Sequence, residues 1–123
     1  MATESERLVI DFCETWKSRN LDKIMDFFAD DAVYHNIPME PARGKDAIRQ
    51  VINSFLPMAS AVEFKILRSA SAGNVVLNER VDVFQMGGKH VELPVAGVFE
   101  VRNGKISAWR DYFDVQMWTK QLS

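Results

Sequence analysis

The sequence has few of the residues that form disulfides and metal sites. Its one cysteine, Cys13, excludes an internal disulfide, and its two histidines offer little for a zinc site. We therefore expect no metal and no cofactor. A single thiol also suits a protein of the reducing cytoplasm.

The sequence also lacks an excess of positive charge and a long apolar run. Its net charge of −2 provides no basic surface for phosphates, so we expect no nucleic-acid partner. The apolar runs fall far short of the roughly 20 residues that cross a bilayer, so we expect no membrane partner. The polar and acidic segment from Met1 to Glu6 is unlike a secretory signal, which agrees with a cytoplasmic location.

What is present is the composition of an ordinary globular domain. The chain has 123 residues, of which 47% are hydrophobic and 26% are charged. This length suits one domain with a substantial core and is too short for two. We expect residues 1–123 to form that domain.

Periodicity predicts three helices in the first half of the chain. Apolar residues recur at helical spacing over about 3–19, and a second, short helix follows over about 21–28. Residues 32–37 have the pattern of a strand. The third helix begins after Gly44 and is ended by Pro57.

The second half of the chain has the pattern of successive β-strands. They are expected at 62–70, 74–86, 89–102 and 105–113, with hairpin turns at Gly87-Gly88 and Asn103-Gly104. The last ten residues suit a short helix. Helices followed by an antiparallel meander indicate an α+β fold. Because these strands are long for so small a domain, we expect a strongly curved, mostly antiparallel sheet around the helices, with a conical pocket.

Polar residues at alternate positions in the strands suggest an acid–base site. Arg80 and Asp82 share one strand face with Asn78, and Asp111 lies among aromatic residues of the last strand. Burying an aspartate costs several kcal/mol unless it is paired, and Arg80 is the available partner. Two carboxylates beside one guanidinium should titrate together, one with a raised pKa. One protonated and one ionised carboxyl can supply general acid and general base catalysis.

Other interpretations of these residues stay open at this stage. The pairing of arginine with aspartate is also typical of a structural salt bridge. Tyr34 and Asn36 have the same i, i+2 spacing and could hold a water or only bond to backbone. His35 should point to the opposite face, towards the surface or an interface. The outward residues Glu79, Arg110 and Asp114 are candidates for ion pairs at the surface or between subunits.

Several blocks taken together resemble limonene-1,2-epoxide hydrolase. The similarity runs from about the first helix to Phe113, in the same order and at nearly the same spacing. The blocks are Tyr34-His35-Asn36-Ile37-Pro38, Glu79-Arg80-Val81-Asp82-Val83, Gly97-Val98-Phe99 and Trp109-Arg110-Asp111-Tyr112-Phe113-Asp114. Each block is weak alone, whereas the set is specific.

The resemblance implies a fold, an activity and an assembly. The fold is the curved sheet and helical cone of the nuclear-transport-factor-2-like (NTF2-like) superfamily, and the assembly is a homodimer. The activity is one-step opening of an epoxide without a covalent intermediate. In that mechanism Asp111 deprotonates a water held by Tyr34 and Asn36. Asp82 protonates the epoxide oxygen, and Arg80 bridges the two carboxylates.

Strand alternation and family position also suggest which residues surround the substrate. The expected wall is Trp16, Phe55, Phe84, Leu93, Val95 and Phe113. Such a wall suits a hydrophobic epoxide, either limonene-1,2-epoxide or a similar cyclic or terpene epoxide, which water converts to a vicinal diol.

Two other functions are considered for this sequence. A ketosteroid-isomerase-like enzyme needs a base, a tyrosine and a protonated aspartate, but no arginine between two acids. A non-catalytic small-molecule-binding domain usually lacks one or more cavity acids, and this sequence has both.

Overall fold

The computed structural model describes residues 2–123, which form two helices, two strands, a third helix, four strands and a final helix. The helices are α1 Glu4–Thr15, α2 Leu21–Met25, α3 Lys45–Asn53 and α4 Val115–Leu122. The strands are β1 Phe28–Asn36, β2 Ala42–Arg43, β3 Ala59–Ala72, β4 Val75–Met86, β5 Lys89–Arg102 and β6 Lys105–Tyr112. Short 3-10 turns cover Trp16–Ser18 and Leu56–Met58.

The six strands form one mixed sheet in the order β2-β1-β6-β5-β4-β3. Strands β3 to β6 are an antiparallel meander, whereas β1 joins β6 in parallel. Both predicted hairpin turns have positive φ at their two central residues, Gly87-Gly88 and Asn103-Gly104, as type I′ geometry requires. The predicted α+β fold with a mostly antiparallel sheet is confirmed.

Local side chains fix the helix starts that the sequence suggested. The hydroxyl oxygen of Thr3 accepts the backbone N–H of Glu6, and the Asn20 side-chain oxygen accepts that of Lys23, each at 3.1 Å.

None of the helices within residues 2–123 is long and apolar enough to span a membrane.

Several element boundaries differ from the sequence prediction. Helix α1 ends at Thr15 and not near residue 19, and β3 begins at Ala59 and not at residue 62. Helix α2 ends at Met25, and β1 already begins at Phe28, because that residue pairs with Ile106 of β6 across an irregular register. Helix α3 ends at Asn53, and Pro57 lies within the following 3-10 turn. The short strand β2, which pairs with β1, was missed because two residues carry no periodicity.

Helix α1 covers the inner face of the sheet with its apolar side. The Phe12 ring lies at the centre of this layer and meets the Trp109 ring edge-on, with 4.9 Å between centroids. Cys13 and Trp16 are buried beside it. The charged side chains of Arg80, Asp82 and Asp111 are also buried on this inner side of the sheet.

Candidate active site

Strand register brings together polar residues that are far apart in the sequence. Asn78 of β4 lies opposite Gly97 of β5, which in turn lies opposite Asp111 of β6. On the other side of β6, the parallel strand β1 sets Asn36 beside Asp111 and Tyr34 beside Trp109. One row across the sheet therefore joins four of its strands at the site.

The Arg80 guanidinium binds both carboxylates in bidentate fashion. Nε and Nη2 donate to Oδ1 and Oδ2 of Asp82, at 2.9 and 2.8 Å. Nη1 and Nη2 donate to Oδ1 and Oδ2 of Asp111, at 3.1 and 2.8 Å. The guanidinium is fully buried and each carboxylate side chain is 5% exposed. Two planar hydrogen-bonded forks thus fix both acids relative to one cation.

The two carboxylates differ in how many protein donors each of their oxygens accepts. Oδ1 of Asp111 also accepts the indole N–H of Trp109, at 2.6 Å, so it receives two donors from the protein. Oδ2 of Asp111 accepts one donor, and so does each oxygen of Asp82. The free lone pair of Asp111 is therefore on Oδ2, while Asp82 can carry a proton on either oxygen.

Burial and charge set the protonation states in the cluster. Burial raises the pKa of Asp82 to about 6, against the pull of the Arg80 guanidinium, and the charge of Asp111 adds to the rise. Burial lowers the pKa of Arg80, but the two carboxylates outweigh it and keep that pKa well above its ordinary value. A permanent cation thus holds two acids, one of which readily keeps its proton.

Tyr34 stands at the edge of this cluster with its hydroxyl protonated. Its ring stacks on that of Trp109, with centroids 4.1 Å apart. Burial and the charge of Asp111 raise the Tyr34 pKa, although a hydrogen bond with Asn36 partly offsets this. The phenol is therefore a hydrogen-bond donor beside the Asp111 carboxylate.

An apolar cavity of about 220 Å³ opens beside the cluster. Its polar lining residues are Tyr34, Asn36, Ser54, Asp82 and Asp111. The remaining lining is aromatic or aliphatic: Met39, Val51, Phe55, Phe64, Phe84, Leu93, Val95, Phe113 and Trp118. A mostly apolar hollow with two acids at one wall is an arrangement that binds and protonates a hydrophobic molecule.

The structure places five of the six predicted wall residues in the lining: Phe55, Phe84, Leu93, Val95 and Phe113. The prediction for the sixth residue, Trp16, was wrong, because Trp16 does not line the cavity. Its ring is fully buried in the core, where it stacks on Phe64 and Phe55, with centroids 4.6 and 6.1 Å apart. Because those two phenylalanines themselves line the cavity, Trp16 supports the wall and is not part of it.

Sequence reasoning missed several lining residues: Met39, Val51, Ser54, Phe64 and Trp118. The inward position of Phe64 could have been read from strand alternation, since Val62 and Phe64 are both buried. Trp118 could not, because a helical pattern does not show where α4 docks. Its ring meets Phe84 edge-on, with 5.1 Å between centroids.

The outward residues behave as surface groups. Glu79 pairs with Arg68, and Arg110 with Glu100. Asp114 forms no ion pair within residues 2–123 and instead caps α4 by accepting the backbone N–H of Gln116 at 2.9 Å. Asp114 does not form the predicted ion pair because β6 ends at Tyr112, which leaves Asp114 at the N-cap position of α4.

Comparisons with known proteins agree on one family. The family model described as limonene-1,2-epoxide hydrolase catalytic domain matches residues 3–123. Epoxide hydrolase EphG of Mycobacterium tuberculosis (strain ATCC 25618 / H37Rv) is 37% identical over 113 residues, covering 90% of this chain and 74% of that protein.

Solved structures extend the likeness to the fold. An M. tuberculosis LEH-like epoxide hydrolase has a TM-score of 0.81 and 35% identity, covering 97% of this chain and 90% of that chain. An NTF2-like protein of unknown function from Burkholderia pseudomallei K96243 has a TM-score of 0.87 at 15% identity, covering 99% of each chain. The second likeness concerns the fold alone, which is therefore NTF2-like.

Proposed function

The chain belongs to the limonene-1,2-epoxide hydrolase family, and from this premise we propose that it hydrolyses a hydrophobic epoxide to a vicinal diol in one step, without a cofactor. The observation that carries the proposal is the pair of buried acids on one guanidinium, facing an apolar cavity. An epoxide is strained, but its oxygen is a poor leaving group. Protonating that oxygen while water attacks removes the most costly charge from the transition state.

Asp111 is the general base in this mechanism. Its Oδ2 has the free lone pair, because Oδ1 already accepts Arg80 and Trp109. A water between this oxygen, the Tyr34 hydroxyl and the Asn36 amide would lose a proton to Asp111 as its oxygen bonds to an epoxide carbon. The hydrogen bonds that fix Asp111 would thereby also fix the direction of attack.

Asp82 is the general acid. Burial keeps its pKa near 6, so it can hold a proton close to neutral pH and release it to the epoxide oxygen as the C–O bond breaks. Asp111 gains a proton while Asp82 loses one, so the summed charge around Arg80 does not change. A fixed cation with constant total charge needs little reorganisation during the reaction. The proton then returns from Asp111 to Asp82, and the cycle can repeat.

The cavity favours a compact and hydrophobic substrate, either limonene-1,2-epoxide or a similar cyclic or terpene epoxide. Its lining is aromatic or aliphatic except at the acid wall and Ser54, so an apolar skeleton would be desolvated there. Such a skeleton would leave the epoxide oxygen as the group that meets the acids.

A homodimer and a cytoplasmic location complete the proposal. The outer sheet face exposes Leu77 by 49% and Tyr112 by 46%, which gives apolar surface to a subunit interface. The charged outer residues Arg110 and Glu100 could form its polar rim. Light scattering coupled to size-exclusion chromatography should give twice the chain mass, whereas a monomer at micromolar concentration would contradict the dimer.

A single turnover in ¹⁸O-water tests the reaction itself. With enzyme in excess over a panel of terpene, cyclic meso and aromatic epoxides, one-step attack should place the label in the first diol formed. A first diol without the label would indicate a covalent ester instead, since its new oxygen would come from the enzyme carboxylate. A 3-oxo-Δ5 steroid serves as the comparison substrate, since its isomerisation with every epoxide untouched would favour an isomerase.

A further inference from the structure

We propose that Asn78 is a positioning residue, which locks the Arg80 guanidinium in the geometry that both acids require. This inference rests on the proposed function but concerns a residue outside the cavity wall. Asn78 is only 5% exposed and is absent from the cavity lining. Any effect it has on turnover must therefore pass through a neighbour.

The hydrogen-bond inventory of Arg80 points to Asn78. A guanidinium has five N–H donors and no acceptor. Asp82 takes two of them and Asp111 takes two, while Oδ1 of Asn78 accepts the fifth, from Nη1 at 3.1 Å. Since the guanidinium is fully buried, water cannot replace a missing acceptor without entering the core. Asn78 thus completes the coordination of the cation.

The sheet register shows why asparagine can reach this donor. Asn78 and Asp111 face each other across Gly97, which separates them by one strand. A Cβ on Gly97 would lie 2.4 Å from Nη1 of Arg80 and 2.7 Å from Oδ1 of Asn78. The space left by the absent side chain is occupied by the guanidinium, with an acceptor on each side of Nη1.

The other end of the amide is also fixed. Because Arg80 can only donate, the amide oxygen must face it, and Nδ2 then points to Sγ of Cys13 at 3.9 Å. Burial raises the pKa of Cys13 to about 12, so this partner is a neutral thiol, a weak acceptor. Asn78 therefore connects helix α1 to the guanidinium with a single amide orientation.

The neutrality of Asn78 matters as much as its oxygen. A third carboxylate at this point would add negative charge to a cluster in which one cation already holds two acids. Like charge within hydrogen-bonding reach raises carboxyl pKa values. A neutral amide supplies the fifth acceptor and leaves the protonation of Asp82 and Asp111 to their own surroundings.

Two variants of similar shape separate these roles. Asn78→Leu keeps the branched shape but removes the acceptor, so kcat should fall about 10- to 100-fold, as for a lost hydrogen bond to a charged group, with KM changed less than about twofold. Asn78→Asp keeps the acceptor but adds charge, so the pKa of Asp82, and with it the decline of the pH–rate profile at high pH, should move up by about one unit or more. A wild-type kcat in the first variant, or an unmoved profile in the second, would overturn the proposal.

Val76→Ala is the matched control for general damage to β4. Val76 is fully buried two residues earlier on the same strand face and does not line the cavity. This variant should lower the denaturation midpoint while keeping the wild-type pH profile. A shifted profile in Val76→Ala would mean that any loosening of β4 reproduces the effect, which would also overturn the proposal.

A readout without turnover distinguishes this inference from the proposed function. If the wild-type protein opens no epoxide, the proposed function fails, but the Asp82 carboxyl can still be titrated by ¹³C NMR. Its midpoint should rise in Asn78→Asp because of the added charge, and in Asn78→Leu because the guanidinium is held less firmly. A midpoint unchanged in both variants contradicts the positioning role whether or not the protein is active.

Discussion

Neighbouring residues of β4, Glu79 and Arg80, form ion pairs of opposite character. The Glu79 side chain is 52% exposed and meets Arg68, whose side chain is 75% exposed. The Arg80 side chain is fully buried and meets two acids that are 5% exposed. Strand alternation alone sends one charge into water and the next into the core.

This difference decides what each pair can do. Exposed pairs are screened by water and typically contribute between zero and about 1 kcal/mol. A buried pair gains little net stability, but losing one partner costs about 3–5 kcal/mol because the other charge is left uncompensated. The pairs of Arg80 with Asp82 and Asp111 are thus held in one arrangement. Charges fixed in a site that excludes water favour acid–base catalysis.

Removing either inner acid should have the largest effect. Asp82→Asn and Asp111→Asn should each lower kcat for diol formation by about 10²- to 10⁴-fold, the usual contribution of a positioned acid or base. Glu79→Gln on the outer face is the matched control and should keep the wild-type kcat. Near-full activity in either aspartate variant, with circular dichroism showing an intact fold, would contradict the assignment.

Adding one methyl group at Gly97 should have the next largest effect. In Gly97→Ala the new Cβ would lie 2.4 Å from Nη1 of Arg80 and 3.0 Å from Oδ1 of Asp111, so the guanidinium must move. We expect a loss of about 1–3 kcal/mol in the free energy of unfolding and a clear fall in kcat. Denaturant titration and steady-state kinetics measure both. Ala96→Ser, at the exposed neighbouring position, should change neither.

The pH dependence should reflect Asp82. The general acid must be protonated, and burial places its pKa at about 6, so kcat/KM should decline above that pH. Well beyond the midpoint the decline should approach about tenfold per pH unit, as expected for the loss of one essential proton. Activity that rises through pH 6 to a plateau would reverse the acid role of Asp82. Glu79→Gln should leave the curve where it is.

Breaking an outer ion pair should have the smallest effect. Glu100→Gln removes the carboxylate that accepts Nη1 of Arg110 at 2.8 Å, where both side chains are at least one-third exposed. The free energy of unfolding should change by less than about 1 kcal/mol, and kcat should stay at its wild-type value. A loss as large as that of Gly97→Ala would mean that this surface is buried, as in a dimer interface.

Strand periodicity explains why most of the site was predictable. The two-residue repeat of a strand predicted the shared face of Arg80 and Asp82. The turn at Asn103-Gly104 was predicted as well, but the register that brings Asp111 opposite Gly97 also depends on an irregularity between Glu100 and Val101, which the sequence pattern does not show. The burial of Cys13 and the outward position of Glu79 follow from the same kind of pattern. These are local rules, and local rules hold wherever the hydrophobic pattern is strong.

The remainder depends on how elements dock. A helical stripe showed that Trp16 is buried, but not that Phe55 and Phe64 would stand between it and the substrate space. Nothing local places Trp118 at the cavity, since α4 is oriented by contacts with β5. Likewise, the pairing of β1 with β6 is a long-range choice that neither segment encodes alone.

That parallel pairing has a consequence for how the protein acquires its function. Asn36 meets Asp111 only after β6 has been synthesised and inserted beside β1. Until then Arg80 has one of its two acids, and closing such distant segments is slow because much chain entropy is lost before the contacts form. A chain in which β6 has not yet joined the sheet would therefore hold Arg80 with Asp82 alone and would lack the proposed base. Insertion of β6 beside β1 and β5 is therefore the step that completes the candidate site.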